Sequence, residues 1–155
     1  MAQKNARVLW ANLLEAEQNF VRARREVVAD DTLAELIGRA LTVPSERGTA
    51  LRLLQTIDVT GRMRHFAALV ELASVGHADI GLCREVIGSI PAYWVEPRLM
   101  AQIAPILETG GSQEYRRFAE LLEAYSPVLL DDLVEKALHS DDADIREVGD
   151  DFRRL

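Results

Sequence analysis

The sequence predicts an all-α fold: a short α-solenoid of about four helical hairpins behind one long N-terminal helix, nine helices in all. Segments 80–90, 115–125 and 145–155 lie over one another. Ile80, Tyr115 and Ile145 open them, Ile87, Leu122 and Phe152 follow seven residues later, and Ile90, Tyr125 and Leu155 three beyond. A weaker earlier copy supplies Leu54 and Ile57. The spacings 54–87, 87–122 and 122–152 are 33, 35 and 30 residues, a period that marks stacked helical hairpins. Apolar residues also recur at three- and four-residue steps between turns. No alternating Val/Ile/Thr run competes as a strand.

The first segment, about 4–29, carries Leu9, Leu13, Ala16, Phe20 and Val27 on one stripe and Trp10, Leu14, Val21 and Val28 beside it. So wide an apolar face must be covered. It is expected to cap the first hairpin, with self-association as the alternative. Asp30-Asp31-Thr32 break the pattern and can cap the next helix. The first hairpin, 31–58, turns at Val43-Pro44-Ser45, where Pro44 suits a first helical turn. Thr60-Gly61 is expected to end it. The second, 62–90, turns at Gly76, a helix C-terminal residue by type, with Asp79 as the following cap. Pro91 stops it, leaving Tyr93-Trp94 in a connecting loop. The third, 96–125, opens at Glu96-Pro97, carries Pro105 within its first helix, and turns at Gly110-Gly111-Ser112 with Ser112 as cap. The fourth, 127–155, starts at Ser126-Pro127 and turns at residues 140–144.

One domain accounts for 155 residues. Hydrophobic residues at 48% and charged ones at 28% suit a soluble chain. No apolar run approaches the roughly 18 residues that cross a bilayer. The N-terminal residues do not lead into an uninterrupted apolar core, so no signal peptide is expected. Cys83 stands alone, which excludes an internal disulfide framework and suits a reducing, cytoplasmic location. The net charge of −7 disfavours a general nucleic-acid binder. Residues 1–28 hold five basic and three acidic side chains; residues 127–155 hold four basic and nine acidic. The acidic end is expected either to attract a basic partner surface or to keep a terminal repeat soluble.

The stretch Leu133-Val134 to Leu138, then Ser140-Asp141-Asp142-Ala143-Asp144-Ile145-Arg146-Glu147-Val148, resembles a HEAT repeat: first helix, Asp-rich turn, Arg-bearing second helix. The likeness weakens toward the N-terminus and covers roughly 31–155. It implies a right-handed solenoid that binds another protein along the face of its second helices, as an adaptor, regulator or inhibitor. It also implies that Asp144 and Arg146 join turns and neighbouring repeats. Arg116 fills the same slot in the third repeat behind Glu114, and Gly81 replaces it in the second, so no continuous Asp–Arg ladder is expected.

Candidate binding residues on the second helices are Arg84, Glu85, Arg117, Glu120, Asp150 and Arg153, which fall between buried stripes. Tyr93 and Trp94 join them as an aromatic anchor if exposed. His65, His77 and His139 lie in separate repeats without metal-ligand spacing, so no metal or cofactor is expected. Cys83 falls on an apolar stripe and reads as a buried structural thiol. No catalytic constellation is suggested. A second reading is an enzyme of the HEAT-like DNA glycosylase type, with Tyr93, Trp94 and Asp58 near the lesion. The net charge and Glu85, Glu120 and Asp150 on the groove speak against it.

Overall fold

A computed structural model describes residues 2–153. Ten helices and no strand are present among them. The chain divides into two compact units, Met1–Ile37 and Gly38–Leu155.

In the first unit, α1 spans Ala2–Val28. The Asp30 carboxylate accepts the Thr32 amide at 2.8 Å and the Thr32 hydroxyl. Those bonds, the hydroxyl's foremost, hold its pKa below the usual value. Asp30 thus shapes the turn, and α2 (Leu33–Thr42) starts just beyond it. Most large apolar side chains of α1 are exposed, Trp10 at 61% and Phe20 at 56% among them; Val21 is half-buried.

The second unit continues with α3 (Pro44–Leu54), α4 (Val59–Arg64), α5 (Phe66–Ala73) and α6 (Ile80–Gly88). Then come α7 (Ala92–Thr109), α8 (Ser112–Tyr125), α9 (Pro127–Leu138) and α10 (Ala143–Phe152). Helix α5 packs on α6, α7 on α8 and α9 on α10. Sideways, α3 packs against α6, α5 against α7, and α8 against α10.

The tenth helix arises at His65. Its backbone, at φ −96° and ψ 7°, closes α4 with an amide bond to the Arg62 carbonyl at 3.1 Å and restarts the chain as α5. Thr60-Gly61 does not end a hairpin. It lies in the first turn of α4, where the Asp58 carboxylate accepts the Gly61 amide at 2.8 Å. Nor are Tyr93 and Trp94 in a loop. Pro91 acts as N-cap, its carbonyl accepting the Trp94 and Val95 amides, and the helix runs on through Pro97 and Pro105. Both prolines are exposed, so water can reach the carbonyls that they leave without a helical donor.

Capping differs in detail from the expectation. Pro44 and Pro127 do sit in first turns. Ser112 is the first residue of α8; the cap is Gly111, whose amide donates to Glu114 Oε2 at 2.8 Å. Asp79 is the N-cap of α6 without a side-chain cap bond. Gly76 lies beyond the Ser74 C-cap of α5, and no described glycine has positive φ.

Leu54, Ile87 and Leu122, the repeating anchors, are fully buried. Phe152, in the same slot, is only half-buried among the described residues. The Arg116 guanidinium stands 6.0 Å from its ring centre. Leu155, assigned to the same stripe, lies outside the described residues. Gly149 marks a close approach of α9 and α10: a Cβ there would come within 2.9 Å of Leu138 Cγ and 3.1 Å of the Leu138 amide nitrogen.

Two substitutions test this packing by denaturant unfolding. Phe118, fully buried, should lose about 3–5 kcal/mol on truncation to Ala. Phe152→Ala should cost about 1–2 kcal/mol, since only part of its area leaves water. Equal losses would mean that the last helix is as enclosed as α8. Gly149→Ala should destabilise by about 1–3 kcal/mol through overpacking. Gly81→Ala, which meets nothing within 4 Å, should instead stabilise by about 0.4–1 kcal/mol.

Candidate protein-binding surface

The second helices α3, α6, α8 and α10 are joined by polar side chains about one repeat apart. Gln55, the C-cap of α3, donates Nε2 to Glu85 Oε2 on α6 at 3.0 Å. Arg84 on α6 pairs with Glu120 on α8 at 2.5 Å and also reaches the Arg117 carbonyl at 3.3 Å. Arg116 on α8 pairs with Asp151 on α10 at 2.6 Å. These rungs link residues 30, 36 and 35 apart. Arg62 adds a brace from α4, donating to Ser89 Oγ at 2.8 Å.

The structure therefore brings Arg84, Glu85, Arg117 and Glu120 together, but as linked groups. Arg117 turns toward the preceding hairpin, donating to the Ser74 carbonyl at 2.9 Å and meeting Glu114 at 3.5 Å. Gly76 makes room for it: a Cβ there would stand 3.0 Å from its guanidinium. Asp150 and Arg153 are exposed at the end of α10. Tyr93 and Trp94 lie on α7, the first helix of its hairpin, away from the second-helix layer. Tyr93 is 78% exposed. Trp94 is half-buried, set edge-on to Phe66 on α5 with ring centres 5.3 Å apart, under the Arg98 guanidinium at 4.5 Å. It joins α5 to α7, and Tyr93 alone is presented to solvent.

Arg146 braces its own turn, donating to the Ser140 carbonyl at 2.7 Å. Asp142 supplies the cap of α10, accepting the Asp144 amide at 2.8 Å. The expected role of Asp144 and Arg146 between repeats falls instead to Arg116 and Asp151. A charge-pair search at one repeat period could have found the Arg84–Glu120 and Arg116–Asp151 rungs. Gln55 and Arg62 carry no such signal.

The remaining chemistry is quiet. The Cys83 thiol is fully buried and donates to the Leu69 carbonyl at 3.3 Å. Burial pushes its pKa up to about 12, so it stays protonated at neutral pH. Asp58 is engaged as a helix cap. No group of three His, Cys, Asp or Glu side chains able to hold a metal occurs among the described residues. No described helix is long and apolar enough to cross a membrane. Comparison with known protein families, curated proteins and solved structures finds no match for the chain.

His77 sits in the α5–α6 turn. Its Nδ1 accepts the Asp79 amide at 3.1 Å, so the neutral ring carries its proton on Nε2, 3.2 Å from the Leu72 carbonyl. Its pKa is lowered, by burial foremost, then by Arg47 against the opposing effects of the Leu72 carbonyl and Asp79. Burial, and then Arg64, also lowers that of His65. A histidine whose folded pKa is depressed binds its proton more readily when unfolded. The associated stability is fully present above the unfolded value of about 6.5 and is lost as pH falls through the folded pKa values. Urea unfolding at pH 7.5 and 5.5 should therefore show the lower stability at pH 5.5. His65→Gln/His77→Gln should narrow that difference; an unchanged difference would place its origin elsewhere.

Proposed function

We propose that the chain is a non-enzymatic protein-interaction module of the cytoplasm, built as a short right-handed solenoid of HEAT-like hairpins. It would act as an adaptor, regulator or inhibitor by holding a partner against its second-helix layer and acidic end. The observation that carries this reading is the run of rungs from Gln55 to Asp151. It links α3, α6, α8 and α10 in turn, and repeat proteins bind along faces that successive repeats share. The acidic residues beyond the ladder give it a sign. Asp131, Asp132, Glu135, Asp141, Asp144, Glu147 and Asp150 are all exposed on or beside α9 and α10. A basic partner surface fits them. Asp151 is less available than Asp150, since it is committed to Arg116.

The test is affinity capture on the intact chain, followed by association kinetics with the captured protein. Charge reversal by Glu147→Lys/Asp150→Lys should slow association several-fold. The wild-type rate should fall as ionic strength rises past about 0.15 M, where the screening length is about 8 Å. A rate indifferent to salt and to both substitutions would leave the acidic end as a solubility device. Recovery of no protein partner from native expression would remove the module reading itself.

A further inference from the structure

Eight of the large apolar residues that the structure exposes lie on α1: Val8, Leu9, Trp10, Leu13, Leu14, Phe20, Val27 and Val28. Their order is regular. Leu9, Leu13, Ala16, Phe20, Ala23 and Val27 follow one another at alternating steps of four and three, the final step being four. That is the alternation of a coiled-coil seam. All six are exposed. Trp10 widens the seam on one side.

We propose that this seam is covered by the α1 of a second copy of the chain, packed antiparallel. The first argument is area. An aromatic side chain offers roughly 150–250 Å² and an aliphatic one on the order of 60–120 Å². At their observed exposures of 40–61%, Leu9, Trp10, Leu13, Phe20 and Val27, the five on the seam or its edge, present roughly 270–480 Å² per copy. Two copies would thus remove roughly 550–950 Å² from water, close to the ~1,000 Å² lower limit of a specific interface and suited to a reversible dimer. Ala16, Ala23 and the stems of the flanking arginines add to that.

The second argument is charge, and it sets the orientation. Arg22, Arg24 and Arg25 outnumber Glu26 toward the C-terminal end of α1, leaving it net basic, and Glu15 and Glu17 sit at its middle. A parallel pair would set the two arginine clusters side by side. An antiparallel pair places each cluster near the glutamates of the other copy, where opposite charges flanking an apolar seam select orientation. The interface is self-complementary, so it closes at two copies and does not grow into a filament.

Sedimentation equilibrium on the full chain tests this. The 17.3 kDa chain should show twice its mass at about 100 μM and dissociate on dilution. Leu13→Ala/Phe20→Ala should shift it to a monomer with undiminished helical circular dichroism, because Ala keeps the helix while removing the seam. Glu15→Arg/Glu17→Arg should weaken the dimer several-fold at low salt. A monomeric wild type at every concentration would overturn the proposal. So would a dimer that survives the alanine pair. A dimer strengthened by the arginine pair would overturn the antiparallel arrangement.

Discussion

A two-helix hairpin of this length cannot bury both of its apolar sides alone. The second unit depends on meeting that constraint repeatedly. Leu54, Ile87 and Leu122 each stand on a second helix, and each is fully withdrawn from water. The first helices contribute Leu69, Leu99 and Ile103 in the same way. Full burial of one such side chain is worth roughly 1.5–3 kcal/mol. Anchors about thirty residues apart are thus buried alike, each on the second helix of its segment.

The polar rungs do different work. Each is at least partly exposed, and pairs of that kind contribute roughly 0–1 kcal/mol. Arg62 and Arg84 also carry buried Nε atoms without a protein partner among the described residues, which sets a desolvation cost against their bonds. Stability is thus not what the ladder chiefly supplies. A slip of one helical turn between α6 and α8 would part Arg84 from Glu120. The rungs thus favour one register.

What could be read in the sequence follows from the same division. Burial repeats, so a period in the apolar residues revealed the helical class, the turns near 43–45 and 140–144, and three of the four anchors. Local backbone competition does not repeat. The break at His65 lies in one residue's dihedral angles. The early start of α7 depends on Pro91 acting as a cap while Pro97 is tolerated on the exposed side. A proline-bounded dipeptide suggests a loop unless its neighbours are known, so Tyr93 and Trp94 were misplaced. Among the candidate site residues, side-chain type and face were legible for Arg84, Glu85, Arg117 and Glu120. Their mutual engagement was not, because it requires knowing which residue of the next hairpin stands opposite.

The last helix shows where repetition gives out. Phe152 occupies the anchor slot but keeps part of its ring in solvent, and Arg116 both faces that ring and pairs with Asp151. A guanidinium satisfies both neighbours, covering the ring face while meeting a carboxylate at the edge. Polar contact here covers part of the ring that its apolar neighbours leave open. The surrounding acidic charge is not consumed by this arrangement. Asp142 serves as the cap of α10, and Arg116 offsets one carboxylate among nine in residues 127–155. The field of the rest extends about a screening length into solution, where it governs the encounter rate with a charged surface and leaves the packing of α9 on α10 largely unaffected.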